Sequence, residues 1–210
     1  MNTMTWRLGL GTATLAACLW ILFAETEGLR VLTSARLPAV HAARGPVFAA
    51  PLLTRDGGSL AALPAQGSLR VVEITFERCR TICAIQGESL AEAFRALRSD
   101  VDAKRLHFVS LSVDPGDCPA GIARRVNRLS SGHDGWDGVC VRDAGALALL
   151  ARRVGLVVIQ DGSGEFRHTT GIFLVGSDGR VVGYEPSSNK QTLVLAIQEA
   201  MQTRRPAPDG

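Results

Sequence analysis

Apolar residues recur along this chain with two different periods, and the two periods alternate. Residues 70–76 and 106–113 are compact apolar runs rich in β-branched side chains, which is typical of buried strands. Between them, Leu90, Phe94 and Leu97 recur at i, i+4 and i+7, which predicts an amphipathic helix. A strand, a helix and a second strand in this order predict a right-handed βαβ unit with parallel strands.

The remainder of the chain adds further elements to this unit. We predict a helix from Pro119, a helix capped by Asp143 and closed by Gly155, and a last helix capped by Asn189. Strands are predicted at 170–175 and 180–184, joined as a hairpin through Ser177, Asp178 and Gly179, with a short strand at 156–159 and a loop at 130–138. A short hairpin is also predicted near Asp56, Gly57 and Gly58. The resulting order, an N-terminal hairpin followed by β-α-β-α, a further helix and β-β-α, is a thioredoxin-like α/β order.

The first 27 residues differ in character from the remainder. Leu8–Ala24 carries no charge and would be about 25 Å long as a helix, near the lower limit for a membrane span. An uncleaved single-pass anchor is favoured, because the apolar run continues past Cys18; a cleaved signal peptide and a lipoprotein signal ending at Cys18 are the alternatives. We therefore divide the chain into an anchor at 1–27, a tether at 28–45, a thioredoxin-like domain at 46–203 and a flexible tail at 204–210.

Composition narrows the class of protein. The chain has 210 residues and a net charge of +3, with 46% hydrophobic residues, which is ordinary for one packed domain. Because the charge is small and no basic run is present, a nucleic-acid partner is not expected.

Two cysteines, Cys79 and Cys83, directly follow the first predicted strand. Residues at i and i+4 share one face of a helix, so both sulfur atoms could reach one metal ion or each other. A helix N-terminus is partly positive, and Arg78 and Arg80 add charge, so the thiolate form is favoured. The pair is therefore predicted to bind a soft metal or to exchange disulfides.

Three further polar side chains are expected near this pair, because parallel strands end at the same edge of a sheet. Asp114, Cys118 and His168 are expected at that edge. Two thiolates and one imidazole form a soft three-coordinate site that favours Cu(I) and keeps Cu(II) accessible. A zinc ion would require a fourth ligand, such as Asp114 or water. His133, in the predicted loop, is a rival ligand to His168.

Cys118 and Cys140 are predicted to form a second disulfide. Closing their 22-residue loop would stabilise the fold by about 3 kcal/mol in the chain-entropy model. The alternative is two unpaired thiols, with Cys118 close enough to the metal site to interfere. The four cysteines of the domain, together with the apolar N-terminal segment, lead us to expect a bacterial inner-membrane protein with its domain in the periplasm.

Several of these residues together resemble the SCO/SenC family of membrane-anchored copper proteins. The matching segments are Thr75-Phe76 followed by Cys79 and Cys83, Ser112-Val113-Asp114-Pro115, His168-Thr169-Thr170 and Asp178-Gly179-Arg180. The resemblance covers about residues 45–203 and includes the N-terminal segment. Where the family typically has proline after each cysteine of the pair, this chain has Arg80 and Ala84.

The resemblance implies a function and a partner. Cys79, Cys83 and His168 would be the copper ligands, and the protein would deliver copper to the dinuclear site in the copper-bearing subunit of cytochrome c oxidase. The alternative is a membrane-anchored thiol-disulfide oxidoreductase or redox sensor that uses Cys79 and Cys83. The residues favour a copper chaperone over an enzyme.

Overall fold

The structure is a computed structural model of the chain that describes a defined set of residues. These are 3–25, 46–47, 51–54, 69–79, 82–160, 166–168, 170–186 and 189–203. The predicted tether at 28–45, the predicted tail at 204–210 and the turn of the predicted hairpin at 56–58 lie outside the described residues.

Helices and strands alternate along the described part of the chain. The helices are α1 (Thr3–Glu25), α2 (Ile82–Ala96), α3 (Arg98–Asp102), α4 (Ala120–Ser130), α5 (Ala144–Val154) and α6 (Lys190–Gln202). The strands are β1 (Leu52–Thr54), β2 (Leu69–Thr75), β3 (Leu106–Ser112), β4 (Trp136–Val141), β5 (Val158–Gln160), β6 (Phe166–His168), β7 (Ile172–Val175) and β8 (Val181–Glu185). A 3₁₀ turn at Pro115–Asp117 lies between β3 and α4.

Six of these strands form one mixed sheet in the order β1-β4-β3-β2-β7-β8. The predicted βαβ unit is confirmed, because β2 and β3 pair in parallel from Leu69 opposite Leu106 to Thr75 opposite Ser112. β7 pairs antiparallel with β2 on its other side, with Arg70 opposite Val175. β2 therefore lies inside the sheet, and all seven of its residues are buried.

The prediction of a loop over 130–138 is wrong at its end, because β4 begins at Trp136 and pairs in parallel with β3. Gly138 had indicated a loop, but it lies inside this strand. A Cβ atom there would approach Cγ1 of Ile122 to 2.7 Å, so glycine allows α4 to pack closely on the sheet. β4 also pairs antiparallel with β1, from Leu52 opposite Val141 to Thr54 opposite Val139. Leu52 and Leu53 of β1 therefore pair with a strand that is distant in the sequence.

Helices cover both faces of the sheet. One face packs against α5 in a cluster that includes Val72, Val109, Val139 and Leu150. The other face packs against α2, α4 and α6, with Phe94, Phe108 and Trp136 in mutual ring contact at centroid distances of 5.2–5.3 Å. Burial on both faces explains why apolar and polar residues do not strictly alternate along the central strands.

The predicted helix ends are confirmed where a local signal marks them. Asp143 accepts a hydrogen bond from the backbone N–H of Ala146 at 2.8 Å, and Asn189 accepts from Gln191 and Thr192. Gly155 closes α5 with φ 65°, a left-handed conformation that glycine adopts without strain.

The N-terminal segment forms α1, which contains all of the apolar run Leu8–Ala24. Over the residues that the structure describes, no helix combines the length and the apolar character needed to cross a bilayer. The predicted transmembrane anchor is therefore not supported.

Candidate metal and thiol site

Cys79 and Cys83 form a disulfide with a Cα–Cα distance of 5.7 Å, at the carboxyl end of β2. The sequence placed both residues on the first helical turn, and the structure corrects this. α2 begins at Ile82, so Cys83 lies in its first turn while Cys79 precedes it. Cys79 is partly exposed and Cys83 is 2% exposed. Cys79 is therefore the more accessible sulfur for an incoming thiolate or metal ion.

The turn that follows β3 contacts the loop that carries Cys79. The backbone N–H of Glu77 donates to Oδ2 of Asp117 at 2.7 Å, and Arg78 forms an ion pair with Asp114 at 3.8 Å. Asp114 also accepts from the N–H of Gly116 at 2.8 Å, which caps the 3₁₀ turn. The predicted convergence of Asp114 with the cysteine loop is thus confirmed.

Asp117 is a buried acid that the sequence analysis did not select. Its carboxylate accepts the hydroxyl of Ser112 as well as the N–H of Glu77. Burial raises the pKa of Asp117, and these two hydrogen bonds oppose the rise. No local pattern marks Asp117, because its backbone partner Glu77 lies 40 residues away in the sequence.

A buried ion pair lies beneath Cys83. The Arg125 guanidinium donates to both oxygens of Glu73, at 2.9 and 2.7 Å, and also to the backbone carbonyl of Cys83 at 3.0 Å. Ser110 donates to Glu73 and accepts from Nε1 of Trp136. The side chains of Glu73 and Arg125 are 1% and 7% exposed. Burial alone would lower the pKa of Arg125, but the Glu73 carboxylate outweighs it and the net pKa is raised.

The sequence analysis missed this pair, although each member broke a pattern. Glu73 is a charge inside an apolar strand, and Arg125 lies between Ile122 and Leu129 on the buried face of α4. Opposite charges at two such positions indicate a buried ion pair, since a lone buried charge is costly.

The second predicted disulfide, Cys118–Cys140, is confirmed, with a Cα–Cα distance of 6.0 Å. It joins the end of the 3₁₀ turn to β4. Cys118 is therefore not a free thiol beside the metal site, which removes the alternative of two unpaired thiols.

His168, His133 and His107 lie in three different surroundings. His168 is the last residue of β6, where its backbone pairs with Val158 of β5, and its side chain lies outside the described part of the chain. The rival His133 is exposed in the turn after α4, and His107 is bonded to Asp137 at 2.9 Å. No cluster of three or more potential ligands is found among the described residues. Cys79, Cys83 and His168 as a copper site thus stay a prediction.

Comparisons with known proteins place this chain in context. Residues 47–202 match the family model SCO1/SenC, whereas no curated protein sequence matches the chain. The chain is similar to yeast Sco1 with copper bound at 19% identity and a TM-score of 0.62, covering 78% of this chain and 90% of the other.

Two further solved structures show the same fold. Arabidopsis thaliana ScoI with copper bound is 19% identical, with a TM-score of 0.59 over 74% of this chain and 98% of its own. The third structure is BsSco, a member of the Sco family of cytochrome c oxidase assembly proteins in which a disulfide switch was identified. It is 18% identical, with a TM-score of 0.55 over 73% of this chain and 92% of its own. The predicted thioredoxin-like α/β fold is confirmed by these likenesses.

Proposed function

We propose that this chain, which belongs to the SCO1/SenC family, binds copper through Cys79, Cys83 and His168 and delivers it to cytochrome c oxidase during assembly. Copper is the cargo of the protein in this proposal. Sco proteins of the same fold that hold copper, and one named as an oxidase assembly protein, support it. The dinuclear copper site of the oxidase is the proposed destination.

The geometry of the cysteine pair carries the proposal. The sulfur atoms of Cys79 and Cys83 are close enough to bond, so after reduction both can reach a single ion. Cys83 is buried and Cys79 is partly exposed, which gives an ion one protected side and one side open to a partner. Thiolates select soft metals, among them Cu(I).

Loading requires reduction of the pair. The Cys79–Cys83 disulfide would accept two electrons and two protons from a dithiol reductant, which becomes a disulfide itself. The two thiols would then lose their protons as the ion binds, because the thiolate is the metal-binding form. His168 would add a nitrogen ligand, which Cu(II) favours more than Cu(I) does.

Copper retention by the full chain tests the ligand set. The reduced protein should hold one copper ion, and Cys79→Ser or Cys83→Ser should weaken binding by more than the roughly 10- to 100-fold that loss of an outer partner costs. His168→Ala should keep some Cu(I) and lose Cu(II). His133→Ala, an exposed control, should match wild type. If reduced wild type retains no copper in competition with a chromophoric chelator, the proposal is wrong.

A thiol-disulfide oxidoreductase is the second candidate, because the pair forms a disulfide with one accessible sulfur. In this function Cys79 and Cys83 reduce the cysteines of the client, and His168 is not needed. Assembly of active oxidase in cells at limiting copper separates the two functions. Copper delivery requires His168, so His168→Ala should fail there as Cys79→Ser does. Normal assembly with His168→Ala would favour the oxidoreductase.

Placement of the domain in the periplasm belongs to the same proposal. The Cys118–Cys140 bridge supports it, since structural disulfides persist in oxidising compartments. The test is to fuse, after Gly210, a reporter that works only outside the cytoplasm. We expect this fusion to be active in cells. The mass of the mature protein then distinguishes an uncleaved segment 1–27 from a cleaved or lipid-modified one.

A further inference from the structure

One short segment of the chain contacts both halves of the Cys79–Cys83 turn. The segment runs from the 3₁₀ turn into α4 and contains Asp117 and Arg125. Asp117 accepts from the N–H of Glu77, two residues before Cys79, and Arg125 donates to the carbonyl of Cys83. The two contacts lie on opposite sides of the disulfide along the chain.

The contact through Asp117 is tightly packed. Asp117 is 6% exposed and also accepts from Ser112 at the end of β3. Gly121, in the first turn of α4, lies beside the carboxylate of Glu77, which also forms an ion pair with Arg124 of the same helix. The loop that leads to Cys79 is therefore fixed to β3 and to the start of α4.

The contact through Arg125 reaches further into the sheet. Its guanidinium joins the Cys83 carbonyl to Glu73 of β2, and Ser110 and Trp136 extend the network to β3 and β4. A planar guanidinium can donate to a carboxylate in a fork and still offer a further N–H. The first turn of α2 is thus held to three strands by one buried side chain.

We infer that Asp117 and Arg125 are positioning residues that hold Cys79 and Cys83 together across their turn. The inference rests on the proposed function, in which this pair is the reversible thiol and copper site. Two groups held in place react with each other at a high effective concentration, because the entropy of bringing them together is already lost. Releasing either contact lowers the effective concentration of one thiol near the other, so the disulfide is reduced more readily.

A thiol-disulfide equilibrium tests this inference on the full chain. The protein is equilibrated with reduced and oxidised dithiothreitol, alkylated, and mapped so that Cys79–Cys83 is counted separately from Cys118–Cys140. Reduction of Cys79–Cys83 transfers two electrons and two protons from the dithiol, which closes to its cyclic disulfide. We expect Asp117→Ala to raise the equilibrium constant for reduction about tenfold, the order that loss of one charge-assisted hydrogen bond produces.

Arg125 needs two variants, because Arg125→Met alone leaves the Glu73 carboxylate buried and can prevent folding. The double variant Glu73→Met/Arg125→Met replaces the pair with apolar side chains, which is often neutral for stability, but it cannot bind the Cys83 carbonyl. We expect this double variant to fold and still to show the tenfold shift. Arg125→Lys keeps the charge but lacks the fork, so its shift should be smaller.

Asp143→Ala is the matched control. It removes the cap of α5, where the Asp143 carboxylate accepts from the N–H of Ala146 in that helix rather than from the cysteine turn. Its equilibrium should equal that of wild type. A folded Glu73→Met/Arg125→Met protein with the wild-type equilibrium would overturn the inference, as would an equal shift in Asp143→Ala. Neither result bears on copper retention by wild type, which tests the proposed function separately.

Discussion

The two disulfides of this domain differ in span and in the polar contacts that support them. Cys79–Cys83 closes a turn with a sequence separation of 4, while Cys118–Cys140 closes a separation of 22. Each bridge joins one partly exposed cysteine, Cys79 or Cys118, to one buried cysteine, Cys83 or Cys140. The first bridge constrains the few residues of one turn, and the second constrains elements that are distant in the sequence.

The polar contacts of the two bridges also differ. The first pair is supported by ionisable groups, Asp117 on one side and Arg125 on the other. The second bridge lies beside β1, with Sγ of Cys118 3.9 and 3.8 Å from the carbonyl oxygens of Leu53 and Thr54. Two disulfides in one domain can thus have different roles, and we assign the first to reversible chemistry and the second to stability.

The largest expected effect is on stability and separates the two bridges directly. Cys118→Ala/Cys140→Ala should lower the free energy of unfolding by about 3 kcal/mol, because the unfolded chain regains the freedom of a long loop. Cys79→Ala/Cys83→Ala should cost about 2 kcal/mol in the same chain-entropy model, since its loop is short. Denaturant unfolding of the full chain without reductant measures both. A larger loss from the Cys79 and Cys83 variant would contradict the assignment.

A smaller effect is the pH dependence of stability, which tests Asp117, one of the two ionisable groups that support the first bridge. Because burial raises the folded-state pKa of Asp117 above 3.8, its favourable contribution is fully present below pH 3.8. That contribution is lost as the pH rises through the raised folded pKa. Relative to Asp117→Asn, wild type should therefore lose stability as the pH rises from about 4 to the raised folded-state pKa of Asp117. Denaturant unfolding of both proteins across that range measures the difference.

A gain in the stability of wild type relative to Asp117→Asn as the pH rises would contradict this prediction. In that case the hydrogen bonds from Ser112 and Glu77 to the carboxylate would outweigh its burial. Asp143→Asn, which changes an exposed carboxylate at the cap of α5, is the matched control for a general effect of removing one acid.

The sequence predicted those elements whose signals are local. The parallel pair β2 and β3 followed from two apolar runs, and the cap at Asn189 followed from a residue type that favours helix starts. β4 was missed in part because Gly138 indicates a loop when read alone. Residue 138 is a glycine inside a strand because the side chain of Ile122 packs over it from α4. A contact between separate elements leaves little trace in a local pattern.

The site shows the same division. The Cys79–Cys83 pairing could be predicted because its spacing is local, and Cys118–Cys140 could be predicted because few cysteines remained. The ion pair of Glu73 with Arg125 joins residues 52 apart, and neither residue alone indicates its partner. The folded sheet brings them together, so the polar support of the cysteine turn became visible only in the structure.

Graded reduction of the full chain compares the two bridges in one experiment. The protein is exposed to increasing concentrations of a dithiol, alkylated at each step, and its four domain cysteines are mapped by mass. Cys79 and Cys83 should be alkylated first, while Cys118 and Cys140 stay bridged until the fold is lost. If Cys118–Cys140 opens first, or both bridges open together, the assignment of reversible chemistry to the first pair is contradicted.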